Sequence, residues 1–100
     1  METKTIAKVL AELGNSHRLG IFRLLVRHAG TGLTVGEIQA QTRLAASTLS
    51  FHLRGLVDAG LVEQEKIGRH VLCRPVVETV ERAVAFLRDE CCSAEIRTAA

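Results

Sequence analysis

Three cysteines carry the most reactive side chains of this chain: Cys73 stands alone, whereas Cys91 and Cys92 are neighbours. Thiolates are soft ligands and select soft metals or metalloids. An odd count with two members side by side does not fit a secreted disulfide framework, so reduced thiols are expected. Zinc suits the set poorly, because structural zinc usually takes four nitrogen or sulfur ligands. Adjacent side chains on a regular helix point about 100° apart, so joint capture of one atom by Cys91 and Cys92 would loosen a helix end. Two other roles stay open. Cysteine often serves as a small buried hydrophobe, and Cys91 falls on an apolar seam while Cys73 falls at a strand position. Exposed thiols of low pKa also sense oxidants reversibly.

A second group lies between residues 47 and 54: Ser47, Thr48, Ser50, Phe51, His52 and Arg54. Leu49, Leu53, Leu56 and Val57 give a helix from about residue 46 to 59 its inner face. The six residues between them are left for the outer or flanking surface. Short hydroxyls near a helix N-terminus approach base edges or phosphates closely, and the helix dipole there favours anions. His52 and Arg54 reach further along a groove. The plainer reading makes Ser47 a cap and His52 a partly buried structural histidine. Lys66 and Arg69, with His70 beside them, are candidates for nucleic-acid backbone contact. Catalysis by a thiol needs a base and an orienting group, and four scattered histidines suggest no such constellation, so no enzyme is expected.

The elements that must position these groups follow from spacing. Ile6, Val9, Leu10 and Leu13 mark one helical face, closed by Gly14, and Asn15 or Ser16 caps the next helix. Ile21, Phe22, Leu24, Leu25 and Val26 make that second helix broadly apolar, hence buried on more than one side. Thr34 with Glu37 three residues on forms a capping box for a short helix to about residue 41. The longer helix stops at Ala59-Gly60. From Leu61 the period changes to two: residues 61–67 and 70–74 read as strands joined at Gly68-Arg69. Pro75 ends the second strand and suits the first turn of a last helix. There Val77, Val80, Val84, Leu87 and Cys91 recur at steps of three and four, a narrow seam suited to a partner helix. The expected class is mainly α with a β-hairpin wing (α+β), in the order α-α-α-α-β-β-α.

One hundred residues with 47 % hydrophobic content fit one compact domain over residues 1–100. No apolar run is long enough to span a bilayer, and the polar start is no signal-peptide core. A cytoplasmic location is therefore expected. The net charge of +2 mildly favours an anionic partner.

The run Ser47-Thr48-Leu49-Ser50-Phe51-His52-Leu53-Arg54-Gly55-Leu56-Val57-Asp58-Ala59-Gly60-Leu61-Val62 resembles the recognition-helix signature of ArsR/SmtB-type metal- and metalloid-responsive repressors. Leu13-Gly14-Asn15-Ser16-His17-Arg18 resembles that family's start of the second helix, and Gly68-Arg69 its wing tip. The resemblance covers about residues 5–90. It implies a winged helix-turn-helix repressor that dimerises through its terminal helices. Such a dimer reads an inverted-repeat double-stranded DNA operator, with half-sites about one helical turn apart.

Departures from the family narrow the inducer. Leu33-Thr34-Val35-Gly36-Glu37-Ile38 lacks the cysteine that many members carry there. Glu78, Glu81 and Asp89 lack the nearby histidines of a zinc or nickel site. The vicinal pair resembles an arsenic-responsive subgroup. It implies trivalent arsenic or antimony, inorganic or methylated, as inducer on Cys91 and Cys92, with Cys73 as a third thiol from either subunit. No resident cofactor is required. The alternative is a repressor of the same fold that senses oxidants through its cysteines.

Overall fold

The computed structural model describes residues 2–89, 91 and 93. The elements run α1 (Thr3–Leu13), α2 (Ser16–Arg27), β1 (Leu33–Thr34), α3 (Val35–Thr42), α4 (Ala46–Asp58), β2 (Val62–Ile67), β3 (His70–Pro75) and α5 (Val77–Arg88). Each boundary has a local cause. Asn15 caps α2, its side-chain oxygen accepting from the amides of His17 and Arg18. Thr34 and Glu37 form the expected capping box, with both reciprocal bonds made. These bonds hold the Glu37 carboxyl below its usual pKa, the Thr34 amide contributing most and its hydroxyl next. At the end of α4 the amide of Leu61 donates to the carbonyl of Leu56 and that of Gly60 to Val57. Gly60 has φ +76°, so the pair forms a Schellman stop that a side chain at position 60 would strain.

The α1 helix packs on α2 and α5, and α4 packs against α2 and β2. One core joins Val9, Ile21, Leu25, Ile38, Leu49, Leu56, Leu61 and Cys73, each fully buried. The wing is a two-residue hairpin, with Ile67 opposite His70. Of its two turn residues, Gly68 takes a positive φ of 60°, the first-position glycine of a II′ turn.

Three features differ from the sequence expectation. A short strand, β1, precedes α3 and pairs with β3, Leu33 facing Cys73 and Thr34 facing Leu72. The sheet therefore has three strands in the order β1-β3-β2. Pro75 ends β3 as expected, opposite Val62, but it precedes α5 rather than standing in its first turn. Finally, α5 ends at Arg88, with the capping residue Asp89 extended at ψ 139°. Cys91 thus lies beyond the helix, its amide donating to the Arg88 carbonyl at 2.9 Å. Cys92 lies outside the described residues. Among the described residues, no helix is long and apolar enough to cross a membrane.

Candidate nucleic-acid interface

Two opposed stripes organise α4. Leu49, His52, Leu53 and Leu56 are buried, at helical spacings that place them on one face. Ser47, Ser50, Phe51 and Arg54 repeat the same spacing on the opposite face, and all are exposed, as is Thr48. The amino end of α4 is capped by Ala45, which has no side chain able to accept a hydrogen bond. Its first-turn amides therefore stay available to an anion. Ser47 is not the cap; it lies inside the first turn and is exposed. The α3–α4 connection is tight because Arg43 takes the left-handed conformation at φ 60°. In the wing, Lys66 and Arg69 are exposed. Arg74 is paired with Glu65 at 3.0 Å, and among the described residues neither Lys66 nor Arg69 has an ion-pair partner.

His52 is a correction to the sequence expectation. It is only 7 % exposed, because α2 covers it. Its ring stacks on His17 at 5.6 Å between centroids, and its Nδ1 lies 3.5 Å from Arg18 Nη1. Arginine only donates, so Nδ1 accepts and the ring proton sits on Nε2. Burial, then Arg18 and His17, hold its pKa below the ordinary value of 6.5, with Glu12 pulling the other way. An unfolded chain therefore takes up this proton at higher pH than the folded one. The His52 contribution to stability is complete above the ordinary histidine value and is lost as pH falls from there through the lower folded value. Melting temperatures at pH 7.5 and pH 5 are expected to differ less in His52→Gln than in the parent. An equal drop in both proteins would show that His52 is not the group responsible.

Behind the outward face of α4 lies a cluster that sequence reasoning did not find. Arg18 Nε is 2.7 Å from Glu12 Oε2 and donates to the Glu12 carbonyl at 2.8 Å. The Glu12 carboxylate in turn lies against Gly55 of α4, where a Cβ would come within 2.6 Å of Oε2. Glu12, Arg18 and Gly55 thereby set α4 against α1 and α2. The only signal was the family-like stretch ending at Arg18, and spacing along one helix says nothing about a side chain reaching back to another.

The two described cysteines lie in different settings, one buried and one exposed. Cys73 is fully buried on the central strand, and its Sγ accepts from Gln64 Nε2 at 3.4 Å. Burial pushes its thiol pKa up, only partly offset by Gln64. In this arrangement it is a core residue and does not fit as a thiolate ligand. Cys91 is exposed and lines a surface hollow with Val80, Val84 and Arg88. Among the described residues, no three His, Cys, Asp or Glu side chains cluster to hold a metal ion. The seam expected on α5 is outward only in part: Val84 is 45 % and Leu87 61 % exposed, whereas Val77 and Val80 are half-buried, Val80 against the core, and Cys91 lies beyond the helix; Thr79 and Ala83 turn inward.

Residues 13–65 match a family described as a helix-turn-helix domain. No curated protein matches the chain. Among solved structures, an ArsR-like transcriptional regulator from Rhodococcus sp. RHA1 superposes with a TM-score of 0.82 at 22 % identity, over 96 % of this chain and 88 % of that one. A homodimeric winged helix-turn-helix DNA-binding domain from Mycobacterium bovis, a possible ArsR-family transcriptional regulator, is 32 % identical with a TM-score of 0.69. That match covers 85 % of this chain and 76 % of the other. The transcriptional repressor BigR from Xylella fastidiosa is 26 % identical over 80 % of each chain, with a TM-score of 0.66.

Proposed function

Since the chain belongs to the ArsR family of winged helix-turn-helix transcriptional regulators, we propose that it acts as a homodimeric repressor of an inverted-repeat operator, released by a trivalent arsenical. The observation that carries the DNA-binding reading is the outward stripe of α4, Ser47, Ser50, Phe51 and Arg54, beside an amino end with no side-chain cap. Lys66 and Arg69 add cations on the wing for flanking phosphates. The homodimeric relative from M. bovis and the repressor from X. fastidiosa support the dimer and the direction of regulation.

Cys91 and Cys92 would supply the two thiolates that a singly methylated trivalent arsenical needs. Trivalent arsenic contributes affinity for soft sulfur ligands. Cys91 sits beyond the end of α5, so ligation at its thiolate would not require α5 to unwind. Cys91 also shares its hollow with Val80 and Val84, so ligand capture there would lie beside the proposed dimer contact. A coupling of about 1.4 kcal/mol between the sites already weakens operator binding tenfold. Cys73 would join only if the sheet opened around it.

The test is operator release measured by fluorescence anisotropy, with arsenite and with methylated trivalent arsenical. Cys91→Ser and Cys92→Ser are expected to need at least about tenfold more arsenical for release, while Cys73→Ser responds like the parent. Release unchanged in Cys91→Ser and Cys92→Ser would sink the arsenical reading and leave DNA binding standing. Release by peroxide alone, reversed by dithiothreitol, would instead favour the oxidant-sensing form of the same repressor.

A further inference from the structure

The outward stripe of α4 holds one side chain that phosphate binding does not explain. Phe51 is 65 % exposed in its middle, preceded by Ser47 and Ser50 and followed by Arg54. Serines on either side of the helix axis are short, so the phenyl ring is the tallest apolar feature in the first two turns. It would be the first group to touch the floor of a major groove. The ring is also braced: it stands edge-on to His52, centroids 5.7 Å apart at 61°, and His52 is itself held by His17 and Arg18.

In the major groove of B-DNA, the bases present hydrogen-bonding groups and one apolar group, the C5-methyl of thymine. A C·G pair at the same place would set polar edges against the ring and leave them without partners. We infer that Phe51 reads a thymine C5-methyl in each operator half-site. The inference rests on the DNA-binding reading given above, and adds to it a base and the side chain that selects it. Apolar contact also tolerates small shifts of the helix better than a hydrogen bond does, which suits a residue flanked by hydroxyls and a long, flexible Arg54.

The experiment starts by selecting duplexes from a random pool with the parent protein. Each thymine of the selected half-site is then replaced by uracil, which lacks the methyl and keeps every hydrogen-bonding group. Binding is measured at low salt, where phosphate contacts hold parent and variants on the duplex. One symmetric pair of thymines is expected whose replacement weakens the parent about fourfold per half-site, the factor that ~0.8 kcal/mol for one buried methyl group converts to. Phe51→Ala should bind the thymine and uracil duplexes equally. Phe51 is exposed, so this variant is expected to melt with the parent, which circular dichroism checks. A parent that selects a sequence yet nowhere distinguishes thymine from uracil overturns the inference. So does a Phe51→Ala protein that keeps the full distinction; in both cases the DNA-binding reading survives. A parent that selects no duplex overturns that reading as well.

Discussion

Replacing both Val84 and Leu87 by glutamate is expected to leave a folded protomer that no longer dimerises and binds an inverted-repeat duplex at least about 100-fold more weakly. Both side chains project from α5 into solvent, while Thr79 and Ala83 on its other side secure the helix to its own core. The substitution therefore removes the apolar seam without touching the packing that holds α5 in place. Two linked reading heads gain most of their affinity from binding the second half-site intramolecularly, and that gain disappears with the dimer. The slope of log affinity against log salt should also halve, since a single protomer neutralises half as many phosphates. Sedimentation velocity reports the association state and anisotropy titrations the slope. A double variant that remains dimeric would refute the proposed seam, and a monomer with parental affinity would refute the dependence of binding on two linked heads.

Arg18→Ala is expected to lower stability by about 3 kcal/mol and the melting temperature by roughly 10–20 °C. Arg18 is the counter-charge of Glu12 at 2.7 Å, with side chains still 18 % and 21 % exposed. That residual exposure puts the loss at the lower end of what removal of one partner of a buried pair causes. The guanidinium also donates to the carbonyls of Glu12 and Ala11 at the end of α1. Without it, the carboxylate stays wedged beside Gly55, with Oε2 buried and lacking any aligned hydrogen bond. Glu12→Gln in the same chain should recover a substantial part of the loss, because it removes the stranded charge. DNA affinity should fall as well, since the contact sets α4 against α1 and α2. Unfolding in urea of the two single variants and the double variant checks this. A double variant as unstable as the sum of the singles would mean that the two residues do not act together.

Much of this fold could be read from residue types and spacing. Thr34 and Glu37, Asn15, the Ala59-Gly60 stop and the Gly68 turn each carry a local signal, and each marks a boundary seen in the structure. What escaped has a physical reason in every case. The strand at Leu33–Thr34 is too short to show any alternation. The end of α5 was hidden because Cys91 continues the step of four from Leu87, with no glycine or proline to announce the break. Polarity put His52 outward, although its position shares a face with Leu49, Leu53 and Leu56. Only the arrival of His17 and Arg18 from α2 decides its burial. Likewise the burial of Cys73 follows from its being on the central strand, which depends on β1.

That small strand has a wider consequence. Thr34 is hydrogen-bonded into α3 as its cap and aligned with Leu72 of the hairpin in the same step, so the wing and the helix-turn-helix are yoked like the two jaws of one fixed wrench. A shift of one jaw would have to break the Leu33–Cys73 and Thr34–Leu72 pairing or carry the other with it. In the proposed dimer, an inducer would then act on the angle at which two such wrenches are mounted back to back, where a few degrees would misplace both grips together. The proposed release is then expected to weaken hold on the whole operator while leaving the preferred bases of each half-site unchanged, which selection from a random duplex pool with and without inducer would check.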